Sequence, residues 1–446
     1  MGFSDHPAVK RYLEKKDSSP RTSTQDILDS DMLKKIALDA GADDVGLVSI
    51  DDPSLAEQRQ DIVSAFPKCK SLLSIVCRLN RSNVRCINRA VSDTEYIQTF
   101  HRVNEVARRI AATLENDGID ALYPASGFPM DMSKWPGKMW FVSHKTVAQA
   151  AGLGIMGLNR LVIHPRFGNF IVLGTVLLDR DISATDKPLD YNPCIDCKLC
   201  TAVCPVGAIG TDGYFSFSNC MTHNYRDRMG GFQNWVENIV TSGNIKAYRR
   251  KVSDRETVSM WQSLSYGMCN KSSYCMAVCP AGDDVIGGFL DDRKKYIAEV
   301  VKPLQQKKEI IYVVPGTDAE AYVGRKFPHK ITQKVSNGLR PDTIANFLAS
   351  LPVVFQPGMA KGMDTVYHFR FTGDEECQST ITIRDSSLTV QNDLVGVPHI
   401  KIEADARTWL DFLAREKNLM AALVQRRIKI KGSPRLMQSF AKCFPS

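Results

Sequence analysis

Four cysteines within eleven residues, Cys194-x2-Cys197-x2-Cys200-x3-Cys204, followed directly by Pro205, constrain this chain more than any other stretch. Three thiolates at that spacing on a turning backbone can cap three iron corners of one cubane, while the fourth cysteine points away and serves a second cluster. The proline stops the segment from continuing as helix. Zinc sites usually present paired C-x2-C knuckles rather than a four-cysteine run ending in Cys-Pro. A second set follows: Cys220, Cys269, Cys275 and Cys279-Pro280. Its ending, Cys275-x3-Cys279-Pro280, repeats the first motif, but five residues separate Cys269 from Cys275 where two are usual, and a long insertion separates Cys220 from Cys269. Crossed pairing predicts one [4Fe–4S] cluster on Cys194, Cys197, Cys200 and Cys279, and another on Cys204, Cys220, Cys269 and Cys275. The alternative for Cys220 or Cys269 is a buried free cysteine.

The totals agree with an intracellular redox protein. Thirteen cysteines are an odd count, eight of them between Cys194 and Cys279, which argues against a disulfide scaffold. The other five, Cys69, Cys77, Cys86, Cys377 and Cys443, are scattered. At 446 residues and 43% hydrophobic content there is room for two or three cores. The formal charge of +8 comes without a long basic run or a basic stretch interleaved with aromatics, so no nucleic-acid partner is expected. No stretch reaches the ~18 consecutive apolar residues of a membrane helix. Met1 to His6 shows neither an apolar signal core nor a twin-arginine motif. Cys443-Phe444-Pro445-Ser446 fits a prenylation box only formally, because of its proline. The expected location is the cytoplasm.

Residues 1–30 read as a polar arm containing Thr22-Ser23-Thr24. From Asp31, apolar residues at helical spacing precede Gly41, and strands are expected at Val45–Ile50 and Leu72–Val76. Val103, Val106, Ile110 and Leu114 mark one face of a long helix over 95–117. A helix over 140–154 closes at Gly152-Leu153-Gly154, and Phe170–Leu178 is a wholly apolar strand. Helices alternating with strands over 31–189 imply an α/β core. The cysteine module occupies 190–290, and 291–339, a helix and the strand Glu309–Val314, either completes the core or links onward. From 340 to 446 a helix, alternating strands and closing helices over 405–425 and 434–443 form an α+β unit.

Val142-Ser143-His144-Lys145-Thr146-Val147-Ala148-Gln149-Ala150-Ala151-Gly152-Leu153-Gly154-Ile155-Met156-Gly157, then Phe167-Gly168-Asn169-Phe170, then the two-cluster motif, resemble the epoxyqueuosine reductase and reductive dehalogenase superfamily over roughly 30–290. The resemblance implies a bound cobalamin whose cobalt receives electrons from the clusters. It implies that Gly152, Gly154 and Gly157 let backbone approach that cofactor, and that Tyr96 and His144 lie near it. A tight helix–turn–strand corner also accounts for the glycines, and packing for Tyr96. Epoxyqueuosine reductases carry an acidic residue where this chain has Lys138, so Lys138 is the candidate acid and the queuosine reaction is in doubt. The twin-arginine signal usual in respiratory dehalogenases is absent.

Tyr367–Gly373, Thr380–Asp385, Ile402–Trp409 and Ile428–Leu436 resemble the sterol carrier protein type-two family. That resemblance implies an apolar tunnel for a lipid or other hydrophobe, while simple mutual packing of Trp409, Phe412, Leu413 and Leu419 is the alternative. The combined expectation is an α/β reductase core, an inserted ferredoxin-like module and a sterol-carrier-like domain. Electrons would come from a reduced ferredoxin or flavodoxin and pass to a corrinoid that acts on an organic, hydrophobic or halogenated substrate. The rival is a corrinoid-free electron-transfer protein with a lipid-binding domain.

Overall fold

A computed structural model describes residues 3–18, 27–136, 138–267 and 269–445. The core is built on strands β1 (Asp44–Ser49), β2 (Ser71–Arg78), β3 (Ala121–Leu122) and β4 (Ile171–Leu178) in the order β1-β2-β4-β3. β2 and β4 are almost wholly buried, which is why both read as continuous apolar runs. Helix α1 (Arg89–Asn116) buries Val103, Val106, Ile110 and Leu114 against this sheet. It starts earlier than its apolar face suggests because the Asn88 side chain caps the amide of Ala90.

The α/β expectation is corrected here. Every pairing in the four-stranded sheet is antiparallel, with Leu47 opposite Leu73, Leu73 opposite Val176 and Leu122 opposite Leu177. The core is therefore α+β. Alternation of helix and strand orders the elements but carries no strand direction. The excursion 50–70 closes on itself through a 2.9 Å bond from the Ile50 amide to the Lys70 carbonyl, so the chain re-enters the sheet at the end it left.

After β4 the chain runs through the short helices α3 (Leu199–Val203), α4 (Phe217–Asn224) and α5 (Tyr274–Ala277), with α2 (His144–Ala150) lying earlier, before β4. The insertion between Cys220 and Cys269 is helical: Gly230–Val240, Ile245–Lys251 and Asp254–Tyr266. Residues 291–339 do not extend the core sheet. Tyr296, Val301 and Leu304 pack into the main core, while β5 (Ile310–Val313) and β6 (Ile331–Lys334) form a separate parallel pair whose Ile311 and Val313 back the cysteines.

The C-terminal unit has strands β7 (Asp364–Thr372), β8 (Cys377–Arg384), β9 (Ser387–Asn392), β10 (Ile400–Asp405) and β11 (Ile428–Gly432) in the order β9-β8-β7-β10-β11. Only β7 and β10 are parallel. The helix expected over 405–425 is two: Ala406–Leu413 and Leu419–Val424, broken where Arg415 turns left-handed (φ 63°) and Asn418 caps the next start. Trp409, Phe347, Phe369, Phe371 and Phe440 fill the space between sheet and helices. The unit is tied to the rest where Asp318 accepts from the Gly358 amide (2.8 Å) and Gln356 accepts from the Asp318 amide (3.0 Å). In the N-terminal arm, Pro7–Ser18 is helical, and Thr22-Ser23-Thr24 lies outside the described residues. Among the described residues no helix is long and apolar enough to cross a membrane.

Candidate two-cluster centre

The two cysteine motifs are built alike. Lys198 (φ 59°) and Ser273 (φ 53°) are left-handed residues immediately before α3 and α5, which carry Cys200 and Cys275. Such a reversal lets side chains before and after it face a common point. Leu199, Val203, Tyr274 and Ala277 bury the two helices in one core. Each motif then ends in Cys-Pro, Cys204-Pro205 and Cys279-Pro280.

Cys194, Cys197, Cys200 and Cys279 line one small recess together with Leu158 and Asn159. Burial pushes the Cys200 thiol up to about 11 and the Cys279 thiol to about 12, and the neighbouring thiolates of the same set push further. Thiols that repel one another in an apolar wall become favourable ligands once ferric and ferrous charge is bound among them. Cys204, Cys220 and Cys275 pack in a second apolar cluster with Val206, Ala208 and Ile209. Burial raises Cys220 to about 12, with Cys204 adding to it, and Cys220 and Cys204 act on Cys275 in turn. The charge of Cys200 also reaches Cys275, so the two sets are neighbours. Among the described residues no three His, Cys, Asp or Glu side chains converge closely enough for a single metal ion. Four thiols line the first recess, the number a cubane takes, and three pack in the second cluster.

Cys269 departs from its expected place. Its sulfur donates to the Gly267 carbonyl at 3.7 Å, and the charges of Asp93, Asp227, Lys271 and Arg228 reach it. Asp93 accepts from the Asn270 amide (2.9 Å), which holds the loop on that side, and burial raises the Asp93 carboxyl to about 6.

The residues singled out for a corrinoid do not form a cradle. A side chain on Gly152 would stand 2.5 Å from the Lys187 carbonyl oxygen, and one on Gly154 2.5 Å from that of Ile163. One on Gly157 would meet the Ile163 side chain at 2.8 Å. These glycines are explained by close approach to the chain itself, as a tight corner. The ring of His144 is used at both nitrogens: Nε2 donates to the Ala125 carbonyl (3.1 Å) and Nδ1 meets the Thr175 hydroxyl (2.8 Å). Burial lowers its pKa, so it is a neutral structural ring. The ammonium of Lys138 pairs with Asp61 at 2.5 Å, on the surface. Tyr96 is buried with its hydroxyl on the Met276 sulfur (3.3 Å), and burial raises its pKa. It abuts the second cysteine set as packing, since the Cys275 charge reaches it.

Several groups at the centre carry little signal in the sequence. Lys145 donates to the Arg160 carbonyl (2.7 Å), and although desolvation lowers its pKa, Cys275 and Cys220 pull it back up. Asn159 lines the first recess and its amide reaches the Cys275 carbonyl at 3.4 Å. Asn224, one turn after Cys220 on α4, accepts from the amides of Ser272 (3.0 Å) and Ser273 (2.9 Å). Only the adjacency of Lys145 to His144 in the glycine segment could have drawn attention to any of them.

Fold and site together define an iron–sulfur protein with an appended sterol-carrier-like domain. Residues 187–210 match a 4Fe-4S binding domain and residues 356–445 match the SCP-2 sterol transfer family. Part of the chain is similar to epoxyqueuosine reductases: 35% identical over 81 residues to that of Staphylococcus aureus, covering 18% of this chain and 21% of the relative. With that of Gloeobacter violaceus it shares 24% identity over 173 residues, 37% of this chain and 49% of the relative. The chain thus spans about a fifth to a half of the length of these curated relatives. Among solved structures, epoxyqueuosine reductase from Streptococcus thermophilus is 17% identical over 61% of this chain and 74% of that one, with a TM-score of 0.33. A catabolic reductive dehalogenase is 15% identical over 61% of this chain and 34% of that one, with a TM-score of 0.38.

Proposed function

We propose that this chain is an iron–sulfur reductase that moves electrons through two adjacent cysteine-held clusters. The observation that supports the reading is that Cys279 lines one recess with Cys194, Cys197 and Cys200, while Cys204 packs with Cys220 and Cys275, and Cys200 lies between the two groups. When bound, the clusters supply one-electron carriers. The chain's own part is to keep the thiolates dry behind Leu158, Val206 and Ile209, and to set the two groups side by side.

The similarity to epoxyqueuosine reductases favours a reductase and, by the family's chemistry, a corrinoid as electron acceptor. Gly152, Gly154, Gly157, His144 and Lys138, however, are spent on partners within the protein. That same observation favours a second reading, corrinoid-free electron transfer to a substrate or partner. A reduced ferredoxin or flavodoxin suits either as donor. In the C-terminal domain a lipid or other hydrophobe is the ligand class the SCP-2 match supports, though aromatic side chains occupy the interior.

Metal analysis of the anaerobically reconstituted full chain, with hydroxocobalamin present, tests this. Retained iron near eight per chain with about one cobalt supports the corrinoid reductase. The same iron without cobalt supports the corrinoid-free reading, and iron near zero refutes both.

A further inference from the structure

The two motifs align residue by residue: Cys194 with Cys269, Cys197 with Ser272, Lys198 with Ser273, Cys200 with Cys275, Cys204 with Cys279, Pro205 with Pro280. The left-handed turns at Lys198 and Ser273 coincide in this alignment, so Ser272 stands at the position Cys197 holds in the first motif. The alignment breaks one step earlier. Asp196 is also left-handed (φ 47°), which brings Cys194 back to line the first recess, whereas Lys271 has no positive φ. Cys269 is accordingly turned toward Gly267, Asp93 and Asp227.

Ser272 is nearly fully buried, and its hydroxyl donates to Asn224 Oδ1 at 3.0 Å. Asn224 follows Cys220 by one helical turn on α4, so the serine is delivered to the face that carries Cys220. Its proton is committed to Asn224, which leaves a neutral hydroxyl, not an alkoxide, beside the second set.

We propose that the second cluster is held by three thiolates, Cys204, Cys220 and Cys275, with Cys269 outside its shell and the Ser272 hydroxyl facing a fourth iron that has no thiolate. This rests on the iron–sulfur reading above and goes beyond it. The unique iron is open to an oxygen or nitrogen donor from solvent or substrate, which makes it a binding site rather than a closed relay. It is also removable: a one-electron oxidant takes [4Fe–4S]2+ to the 3+ level, which releases Fe2+ and leaves [3Fe–4S]+, so charge and iron balance.

The test uses the full chain reconstituted anaerobically with iron and sulfide, treated with ferricyanide, and read by iron content and low-temperature EPR. Wild type and Cys269→Ala are expected to fall from about eight iron per chain to about seven and to show a [3Fe–4S]+ signal. Ser272→Cys is expected to keep about eight and show none. A Cys269→Ala chain that holds only about four iron before oxidation overturns the proposal. So does an unchanged [3Fe–4S]+ signal in Ser272→Cys. The EPR signal of the first cluster after dithionite reduction separates the cases: its loss from wild type refutes the two-cluster reading itself.

Discussion

The guanidinium of Arg226 lies 2.8 Å from Glu256, and each side chain is 1% exposed. Arg226 stacks over the Tyr312 ring and also donates to Asn234, while Glu256 accepts from Gln333. One ion pair thus joins the segment after α4, the helical insertion and the parallel strand pair behind the cysteines.

Replacing one partner leaves the other charge buried and unpaired. Glu256→Ala is expected to cost about 3–5 kcal/mol, and the apolar double replacement Arg226→Met with Glu256→Leu much less. Anaerobic urea unfolding of the cluster-loaded protein, followed by far-ultraviolet circular dichroism, measures both.

His223 is buried on α4, and its Nδ1 accepts from the Tyr312 amide at 3.3 Å. Burial lowers its pKa from 6.5 to about 3, with Lys271, Lys330 and Lys307 adding to it. The folded state refuses a proton that the unfolded chain accepts. Its contribution is therefore complete above pH about 6.5 and is lost as pH falls toward about 3, on the order of 2 kcal/mol by pH 5. His223→Gln keeps an acceptor for Tyr312 and should flatten that fall. Unfolding free energies at pH 7 and pH 5 for the two proteins decide it; equal slopes would count against the burial argument.

Asn224→Ala removes the acceptor for the buried amide and hydroxyl of Ser272 and for the half-buried amide of Ser273. Each orphaned donor costs about 1–3 kcal/mol. Iron should leave the second cluster faster in the presence of a chelator while the first is unaffected, as followed by visible absorption and EPR.

Trp409 is wholly buried, edge-on to Phe347 and Phe369 with ring centroids 5.7 and 5.4 Å away. Trp409→Ala is expected to destabilise the C-terminal domain by about 3–5 kcal/mol. The space it opens should bind an apolar fluorescent probe that wild type binds less, as measured by titration.

Local chemistry made much of this readable from residues alone. The apolar run at 71–78 is a strand because both faces are buried, and the 3.6-residue stripe of Val103, Val106, Ile110 and Leu114 is the buried face of α1. The period-two pattern of Tyr367, Phe369 and Phe371 faces one core. The Cys194–Cys204 spacing is itself the geometry of the first motif, since three of its cysteines share a recess without help from distant sequence except Cys279. What stayed hidden depends on partners far along the chain. Lys138 reads as a free acid until Asp61 is placed beside it, and Ser272 reads as a loop residue until Asn224 accepts from it. The cleft that sets Arg249, Arg250 and Lys251 beside Lys334 and Arg415 is likewise assembled from distant stretches.

Short-range spacing, apolar period and the two Cys-Pro endings were thus enough to determine the main strands of both cores, the long helix α1 and the two motifs, because they act through neighbouring backbone geometry and burial. Strand direction, the fate of Cys269, the use of Gly152 and Gly154, and the hold of Asn224 on Ser272 were decided only by tertiary structure. Each turns on which distant carbonyl, carboxylate or amide the folded chain brings within a few ångströms, and no local pattern encodes that distance.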